Sequence, residues 1–223
     1  MSTATDHPLR LGLFLASVAA LSACVLALTA GMTRERIAGV QAAKVTDALR
    51  QVLPEFDNDP AALAMPSSGD PGIVFYPATL KGVPVGFAAT AASPLGYGGT
   101  VQVMASLDPQ GRIVTVIVTE QKETPGLGTV VTDRKRQRTL ADVLGGAKPG
   151  EGLPPNPVLD QFAGRDCARA PWAVRKDGGD IDQVTGATVS TRAVTDAVSR
   201  LAQAFAAQRE ALLAGGMDGE VGR

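Results

Sequence analysis

The sequence predicts an α+β protein in which an N-terminal transmembrane helix is followed by one globular domain, a twisted antiparallel sheet packed by helices. Three features predict this fold class. An uncharged apolar run stands near the N-terminus, short runs rich in β-branched residues fill the middle of the chain, and a long segment with helical periodicity follows near the C-terminus. The hydrophobic period therefore changes from helical to strand-like and back to helical along the chain.

The composition limits the classes of function. The chain has 223 residues, 45% hydrophobic and 19% charged, which suffices for a membrane segment and one sizeable domain. Its net charge of -1 argues against nucleic-acid binding. The single histidine, His7, lies near the N-terminus, which almost excludes a catalytic triad or a His-bound metal in the domain. Cys24 and Cys167 form no disulfide framework, and Cys167 is interpreted as a small buried hydrophobic residue.

Residues 11–32 (LGLFLASVAALSACVLALTAGM) carry no charge and are long enough to cross the roughly 30 Å apolar layer as a helix. We predict a transmembrane helix here, with residues 1–10 as a cytoplasmic N-terminus. A cleaved signal peptide is disfavoured because the apolar part of such peptides is about 7–15 residues long. A lipoprotein is the other alternative, since Leu21–Cys24 resembles a bacterial lipobox, although the chain stays apolar past Cys24.

Residues 33–71 are predicted to form a helical stalk and a loop between the membrane and the domain. Thr33–Leu53 keeps helical spacing until Pro54, and residues 54–71 are rich in Pro, Asp, Ser and Gly. The domain itself is predicted to span residues 72–214, and residues 215–223 are predicted to be a flexible tail.

Four strands are predicted in the domain from apolar and β-branched runs bounded by turn signals. They are Ile73–Leu80, Val85–Ala91, Thr100–Leu107 and Arg112–Thr119. The sequence DPQG suits a tight turn between the last two, with Pro109 at its first central position and Gly111 closing it. The sheet is therefore predicted to be antiparallel.

Two helical segments are predicted after the sheet. Thr132–Leu144 contains a basic run, interpreted as a solvated face: Arg134, Lys135, Arg136 and Arg138. The segment from residue 145 to 157 is interpreted as a Pro/Gly-rich connector. In the final helix, apolar residues recur at spacings of four, three and four, at Val194, Val198, Leu201 and Phe205, and Ser190 or Thr191 is the candidate N-cap.

The polar turn before this final helix is the candidate site for chemistry. Thr185, Gly186, Ala187 and Thr188 bring hydroxyls and backbone N–H groups to a predicted helix start, an arrangement that binds anions. From these residues alone, an ordinary Thr/Ser-capped turn is the favoured interpretation.

A resemblance favours the functional interpretation. Asp182, Thr185, Gly186, Ala187 and Thr188 resemble the flavin-transferase acceptor motif, in which the last threonine is joined to FMN through a phosphoester. Together with WAVRKDGGDIDQ (172–183) and ETPGLG (123–128), the motif resembles the G subunit of the Rnf ion-translocating electron-transport complex. The C subunit of the sodium-translocating NADH:quinone reductase is more distantly similar. The resemblance implies covalent FMN on Thr188, and it implies that the modifying transferase reads the other four motif residues.

The resemblance also implies that the ETPGLG loop, with Glu123, Thr124, Leu127 and Gly128, lies beside the flavin. Tyr97, in a glycine turn, is either another wall of the site or a packing plug. Lys176 either neutralises the phosphate or the reduced flavin, or is a solvated charge. Many members of the family carry histidine at one or both of the positions that Gln121 and Lys122 occupy here, and this departure argues against a proton-donor role for the loop.

By resemblance, the chain is a subunit that relays electrons within an ion-pumping complex in the bacterial inner membrane. Its implied partners are the other membrane and iron–sulfur subunits, the membrane itself and, during maturation, the flavin transferase. Arg34, Arg36, Lys44 and Arg50 follow the membrane segment, and counting positive charges would leave the domain in the cytoplasm. The family instead implies a periplasmic domain. A tethered binding module with no redox role is the alternative from another class of function.

Overall fold

A computed structural model describes residues 6–134 and 153–215. Its contacts divide the chain into two units, Met1–Val45 and Thr46–Arg223. The predicted start of the domain at residue 72 stays a prediction, and by contacts the second unit already begins at Thr46. Residues 145–152 of the predicted connector and most of the predicted helix 132–144 lie outside the described residues, as does nearly all of the predicted tail.

The first helix, α1, spans Asp6–Val52 without interruption. In the described part of the chain it is the one helix long and apolar enough to cross a membrane, with a mean hydropathy of 2.4 over its most apolar 18 residues. Every residue whose burial is described between Arg10 and Lys44 is exposed. A soluble protein rarely leaves so large an apolar surface uncovered. The prediction of an N-terminal helix able to span a membrane is confirmed.

The domain is built on a five-stranded antiparallel sheet whose strands lie side by side in chain order. The strands are β1 (Met65–Pro66), β2 (Val74–Leu80), β3 (Val83–Gly96), β4 (Gly99–Leu107) and β5 (Ile113–Glu120). All four predicted strands are present, so the predicted α+β fold is confirmed. The DPQG turn is also as predicted: the Gly111 N–H donates to the Asp108 carbonyl at 3.0 Å, and Gly111 has a φ of 92°.

Two features of the sheet differ from the predictions. β3 was expected to end at Ala91 but continues to Gly96, because Ala92 and Ser93 pair with Gln102 and Val101 of β4. Small residues have little β-propensity of their own, so the sequence did not predict this extension. Pairing with the neighbouring strand nevertheless holds these residues in the sheet. The predicted loop 54–71 contributes β1, which among the described strands pairs with β2 alone and so tolerates Pro66 at the edge of the sheet.

The final helix, α3 (Thr188–Gly215), packs on β3 and β4. Its predicted apolar stripe is confirmed, since the four residues of the stripe are fully buried. The predicted N-caps are wrong. Ser190 and Thr191 lie inside the helix, where the Thr191 hydroxyl donates to the Ala187 carbonyl at 3.0 Å. The helix begins earlier because the turn at Gly186, whose φ is 86°, leads directly into it.

Arg134 is not part of a solvated face, contrary to the prediction for the basic run. Its side chain is 10% exposed and pairs with Asp160 at 2.7 Å. The guanidinium also donates to the carbonyls of Val116 and Pro154. The short helix α2 (Thr129–Thr132) ends at Asp133, whose backbone is extended, and this turns Arg134 towards the domain. A buried arginine with several acceptors has a structural role that charge counting does not reveal.

Cys167 is 2% exposed, as interpreted from the sequence. Burial, with the nearby charges of Asp166 and Asp108, raises the pKa of its thiol from 9.0 to about 12. Because the thiolate is the reactive form, we expect native Cys167 to react with disulfide or maleimide reagents at pH 8 about a thousandfold more slowly than an ordinary cysteine. In the Cys24→Ser variant, Cys167 is the one remaining thiol of the chain. Labelling that is equally fast before and after addition of urea would contradict the expectation.

Candidate functional site

A pocket of about 470 Å³ lies where the β3–β4 hairpin tip, the loop after β5 and the start of α3 meet. It contains eight of the predicted site residues: Tyr97, Glu123, Thr124, Leu127, Gly128, Gly186, Ala187 and Thr188. Val189 and Ser190 complete the lining. The structure therefore brings together the acceptor motif and the ETPGLG loop, which are about 60 residues apart in the sequence.

Thr188 is the first residue of α3 and stands on the wall of this pocket. The turn that precedes it is closed by the Ala187 N–H, which donates to the Val184 carbonyl at 3.0 Å. The Thr191 N–H donates to the Ala187 carbonyl, also at 3.0 Å, and starts the helical hydrogen bonding. The N–H groups of the first turn thus have no helical acceptor, and together with the helix dipole they favour an anion at this end.

The hydroxyl of Thr188 differs from the other hydroxyls of α3. Ser190 donates to Glu123, Thr191 and Thr195 donate to carbonyls one turn back, and Ser199 donates to the Trp172 carbonyl. Among the residues that the structure describes, Thr188 Oγ1 has no hydrogen-bond partner. It is half-buried and faces the pocket rather than the helix backbone. Of the five hydroxyls on this helix, only that of Thr188 is free to react.

Glu123 connects the three segments that form the pocket. It is 5% exposed, and its Oε2 accepts a hydrogen bond from Ser190 at 2.6 Å while its Oε1 accepts one from the Gly98 N–H at 3.2 Å. The close approach of the three segments requires glycines at two positions. A Cβ on Gly98 would lie 1.8 Å from the Lys122 carbonyl oxygen, and one on Gly128 would lie 2.4 Å from Oε2. By resemblance, Glu123 was predicted to lie beside the flavin, but its role in joining these segments was not predicted, nor was Ser190 as a site residue.

The ETPGLG loop is held by side chains as well as by its glycines. Gln121 accepts from the Glu123 N–H at 2.5 Å and donates to Asp133 at 3.2 Å. The Gly126 N–H donates to the hydroxyl of Thr129 at 2.9 Å. Gln121 thus has a structural use in this loop. It fixes the backbone of the loop before Glu123.

The rim of the pocket is apolar and open. Tyr97 is 76% exposed and Leu127 is 52% exposed, and both line the pocket. The alternative interpretation of Tyr97 as a packing plug is therefore wrong. A flat aromatic ligand between these side chains would cover apolar surface that is now in water.

The other three predicted site residues do not line the pocket. Asp182 is exposed and pairs with Arg175 at 2.7 Å, while its backbone exchanges two hydrogen bonds with Gln161. Thr185 is exposed on the turn before α3, and Lys176 is exposed in a short 3-10 turn. Asp182 and Thr185 are therefore accessible to another protein, and the place of Lys176 fits a solvated charge.

The segment 172–183 is attached to α3 by two contacts. The Trp172 N–H and carbonyl both bond to the hydroxyl of Ser199, and Asp177 forms a two-point ion pair with Arg192 at 2.5 and 2.6 Å. The hydrogen bond from Arg192 holds the pKa of the Asp177 carboxyl below its ordinary value of 3.8. These contacts hold the segment beside the first turns of the helix.

We expect Asp177→Asn to lower the melting temperature of the protein slightly at neutral pH, since the pair is exposed. A carboxyl with a lowered folded pKa stabilises the fold above its unfolded pKa and loses that contribution as the pH falls through the folded value. The difference between wild type and variant should therefore close below pH 3.8, and also in about 1 M salt. Thermal scans of wild type and variant at neutral pH and at low pH measure this difference in melting temperature. A difference that does not shrink as the pH falls below 3.8 would indicate a packing effect.

Comparison with known proteins agrees with this site. Residues 96–203 match the family model described as FMN-binding domain. The chain is 35% identical over 217 residues to the G subunit of the ion-translocating oxidoreductase complex of Pseudomonas aeruginosa, covering 92% of both chains. It is 34% identical to the G subunit of Cereibacter sphaeroides over 94% of this chain and 89% of the relative. It is 38% identical to the G subunit of Stutzerimonas stutzeri over 89% of this chain and 81% of the relative.

These similarities extend over nearly the whole chain, including the helix α1 and the domain. They confirm the resemblance found from the acceptor motif and the ETPGLG loop. The chain belongs to the family of G subunits of ion-translocating oxidoreductase complexes.

Proposed function

We propose that this chain is a membrane-anchored flavoprotein subunit that carries FMN as a phosphoester on Thr188 Oγ1 and relays electrons within an Rnf-type ion-translocating complex. The family membership and the match of residues 96–203 to an FMN-binding domain support FMN as the cofactor. One observation carries the attachment site. Thr188 has the only hydroxyl of α3 without an intramolecular partner in the described part of the chain, and it stands in the pocket wall.

The residues present fit FMN. The start of α3 offers N–H groups and a positive dipole to a phosphate held at Thr188. Tyr97 and Leu127 offer apolar surface to a flat ring. At Gly186, where an added Cβ would be 3.6 Å from Leu127, the backbone is open to close approach. When bound, FMN supplies the electron-transfer chemistry, and the protein supplies position and electrostatics.

Each protein group has a separate task in this proposal. Thr188 is an attachment point. Its oxygen forms the bond to the FMN phosphorus of an activated flavin nucleotide used by the transferase, the phosphoanhydride bond of that donor breaks, and the hydroxyl proton goes to the departing phosphate. The ester keeps the cofactor from dissociating outside the cytoplasm. Asp182 and Thr185, exposed on the turn, are available to the transferase, and the positive φ of Gly186 directs the chain from that turn into the helix. Lys176 contributes at most a distant positive charge.

The proposed location is the bacterial inner membrane, with α1 as a single span and the domain on the periplasmic side. The exposed apolar surface of α1 supports a membrane partner. The proposed protein partners are the other membrane and iron–sulfur subunits of the complex, and the relatives are named as subunits of such complexes. Protease added to intact spheroplasts should remove the domain. Protection in spheroplasts with cleavage in inverted vesicles would place the domain in the cytoplasm instead.

Intact mass of the full chain, purified after coexpression with a flavin transferase, tests the proposal. We expect a gain equal to FMN less one water, mapped by peptide fragmentation to Thr188, and no gain without the transferase. An unmodified mass in both preparations would contradict the proposal. A mature chain that begins at a lipid-modified Cys24 would instead support the lipoprotein alternative.

A further inference from the structure

We propose that Glu123 is the positioning residue of the flavin site and that its buried negative charge lowers the reduction potential of the flavin held there. This inference rests on the proposed function, because it assigns a role toward the FMN on Thr188. It concerns a side chain that lines the pocket but that the attachment chemistry does not use.

The positioning role follows from the hydrogen bonds of the carboxylate. Oε1 holds the β3–β4 hairpin tip through the Gly98 N–H, and Oε2 holds the first turn of α3 through Ser190. Glu123 itself stands on the loop after β5, so one side chain connects the three segments that carry the pocket lining. Ser190 is two residues from Thr188 on the same helix. The distance between the acceptor threonine and the opposite wall is therefore set by this carboxylate.

The electrostatic role follows from burial without a countercharge. Glu123 is 5% exposed and forms no salt bridge with any residue in 6–134 or 153–215. An ionised carboxylate only accepts hydrogen bonds, and both bonds to it come from uncharged donors. Burying such a group opposes folding, and perturbing charges of this kind concentrate at functional sites. Glu123 lines the pocket. A ligand that fills the pocket displaces water from the space beside this carboxylate, so the field of the charge acts on the ligand with less screening than in water.

The sign of the effect follows from charge balance. Reduction of the oxidised flavin by two electrons with uptake of one proton leaves the ring with one additional negative charge. A fixed carboxylate beside the ring repels that added charge and favours the oxidised form. Glu123 therefore makes the flavin a better electron donor than it would be in the same pocket without the carboxylate.

The experiment compares Glu123→Gln with wild type, both as the full chain in detergent with flavin attached by the transferase. Glutamine keeps the shape and both contacts, since its oxygen accepts from Gly98 and its amide donates to the oxygen of Ser190. We expect a reduction equilibrium shifted at least tenfold toward reduced flavin in a spectroelectrochemical titration. That shift is a rise of about 30 mV for a two-electron couple. The melting temperature should not fall, because the variant removes a buried charge.

Two further variants separate charge from positioning. Ser190→Ala keeps the Glu123 carboxylate but removes the hydrogen bond between it and α3. The reduction potential of the flavin in this variant should therefore not rise. Glu120→Gln makes the same chemical change at an exposed residue outside the pocket lining, and it should leave the potential unchanged. An unchanged potential in Glu123→Gln, an equal rise in Ser190→Ala, or loss of flavin from Glu123→Gln alone would overturn the inference. Absence of flavin from the wild type would overturn the proposed function instead.

Discussion

Thr188→Ala should fold normally and carry no covalent flavin at all, with complete loss of in-gel flavin fluorescence after coexpression with the transferase. Alanine lacks the oxygen that forms the ester, and in the described structure no neighbouring hydroxyl of α3 is free to replace it. The side chain is half-buried without a hydrogen bond, so the free energy of unfolding should change by no more than about 0.5 kcal/mol. Denaturing electrophoresis and intact mass measure the first effect, and urea denaturation measures the second.

Two variants control this result. Thr188→Ser keeps the attacking oxygen at the same position and should retain covalent flavin. Thr195→Ala removes a hydroxyl of the same helix that is already bonded to the Thr191 carbonyl, and it should be labelled like the wild type. Fluorescence that survives Thr188→Ala would show that another residue carries the flavin. Loss of fluorescence in Thr195→Ala would show that the transferase needs an intact helix rather than one particular oxygen.

Local patterns in the sequence predicted most of the fold. The strands follow from alternation and turn residues, and the buried stripe of α3 follows from the spacing of Val194, Val198, Leu201 and Phe205. Each of these features depends on residues that lie close together in the sequence. The acceptor motif and the ETPGLG loop were recognised by resemblance, and the structure places most of their residues in one pocket.

The features that were missed depend on contacts between distant parts of the chain. Glu123 bonds to Ser190, 67 residues away, and to Gly98, 25 residues away. Sequence periodicity does not predict contacts between such distant residues. The glycines at positions 98 and 128 were nevertheless a signal that the backbone at these positions approaches other segments closely. Ser190 was interpreted as a cap because capping is its commonest role near a helix start. Arg134 was interpreted as solvated because it stands in a basic run. Its burial was missed because its three acceptors come from separate segments.

Phe205→Ala should cause the largest loss of stability, about 3–5 kcal/mol in the free energy of unfolding. Phe205 is fully buried on the inner face of α3, and its ring centroid lies 5.5 Å from that of Phe87 and 6.0 Å from that of Phe75. Truncation leaves a cavity and removes both aromatic contacts between the helix and the sheet. A domain is stable by only about 5–15 kcal/mol, so the variant should lose a large part of that margin.

Urea denaturation of the full chain in detergent, followed by fluorescence of the single tryptophan, Trp172, measures this loss. Gln203→Ala is the matched control, because it truncates an exposed side chain two residues away on the same helix and should change stability by no more than about 0.5 kcal/mol. Equal midpoints for the two variants would contradict the assigned packing. Thr188 lies 17 residues before Phe205 on α3, roughly 25 Å along the axis. The folded fraction of Phe205→Ala should therefore still accept flavin, which separates loss of the scaffold from loss of the attachment site.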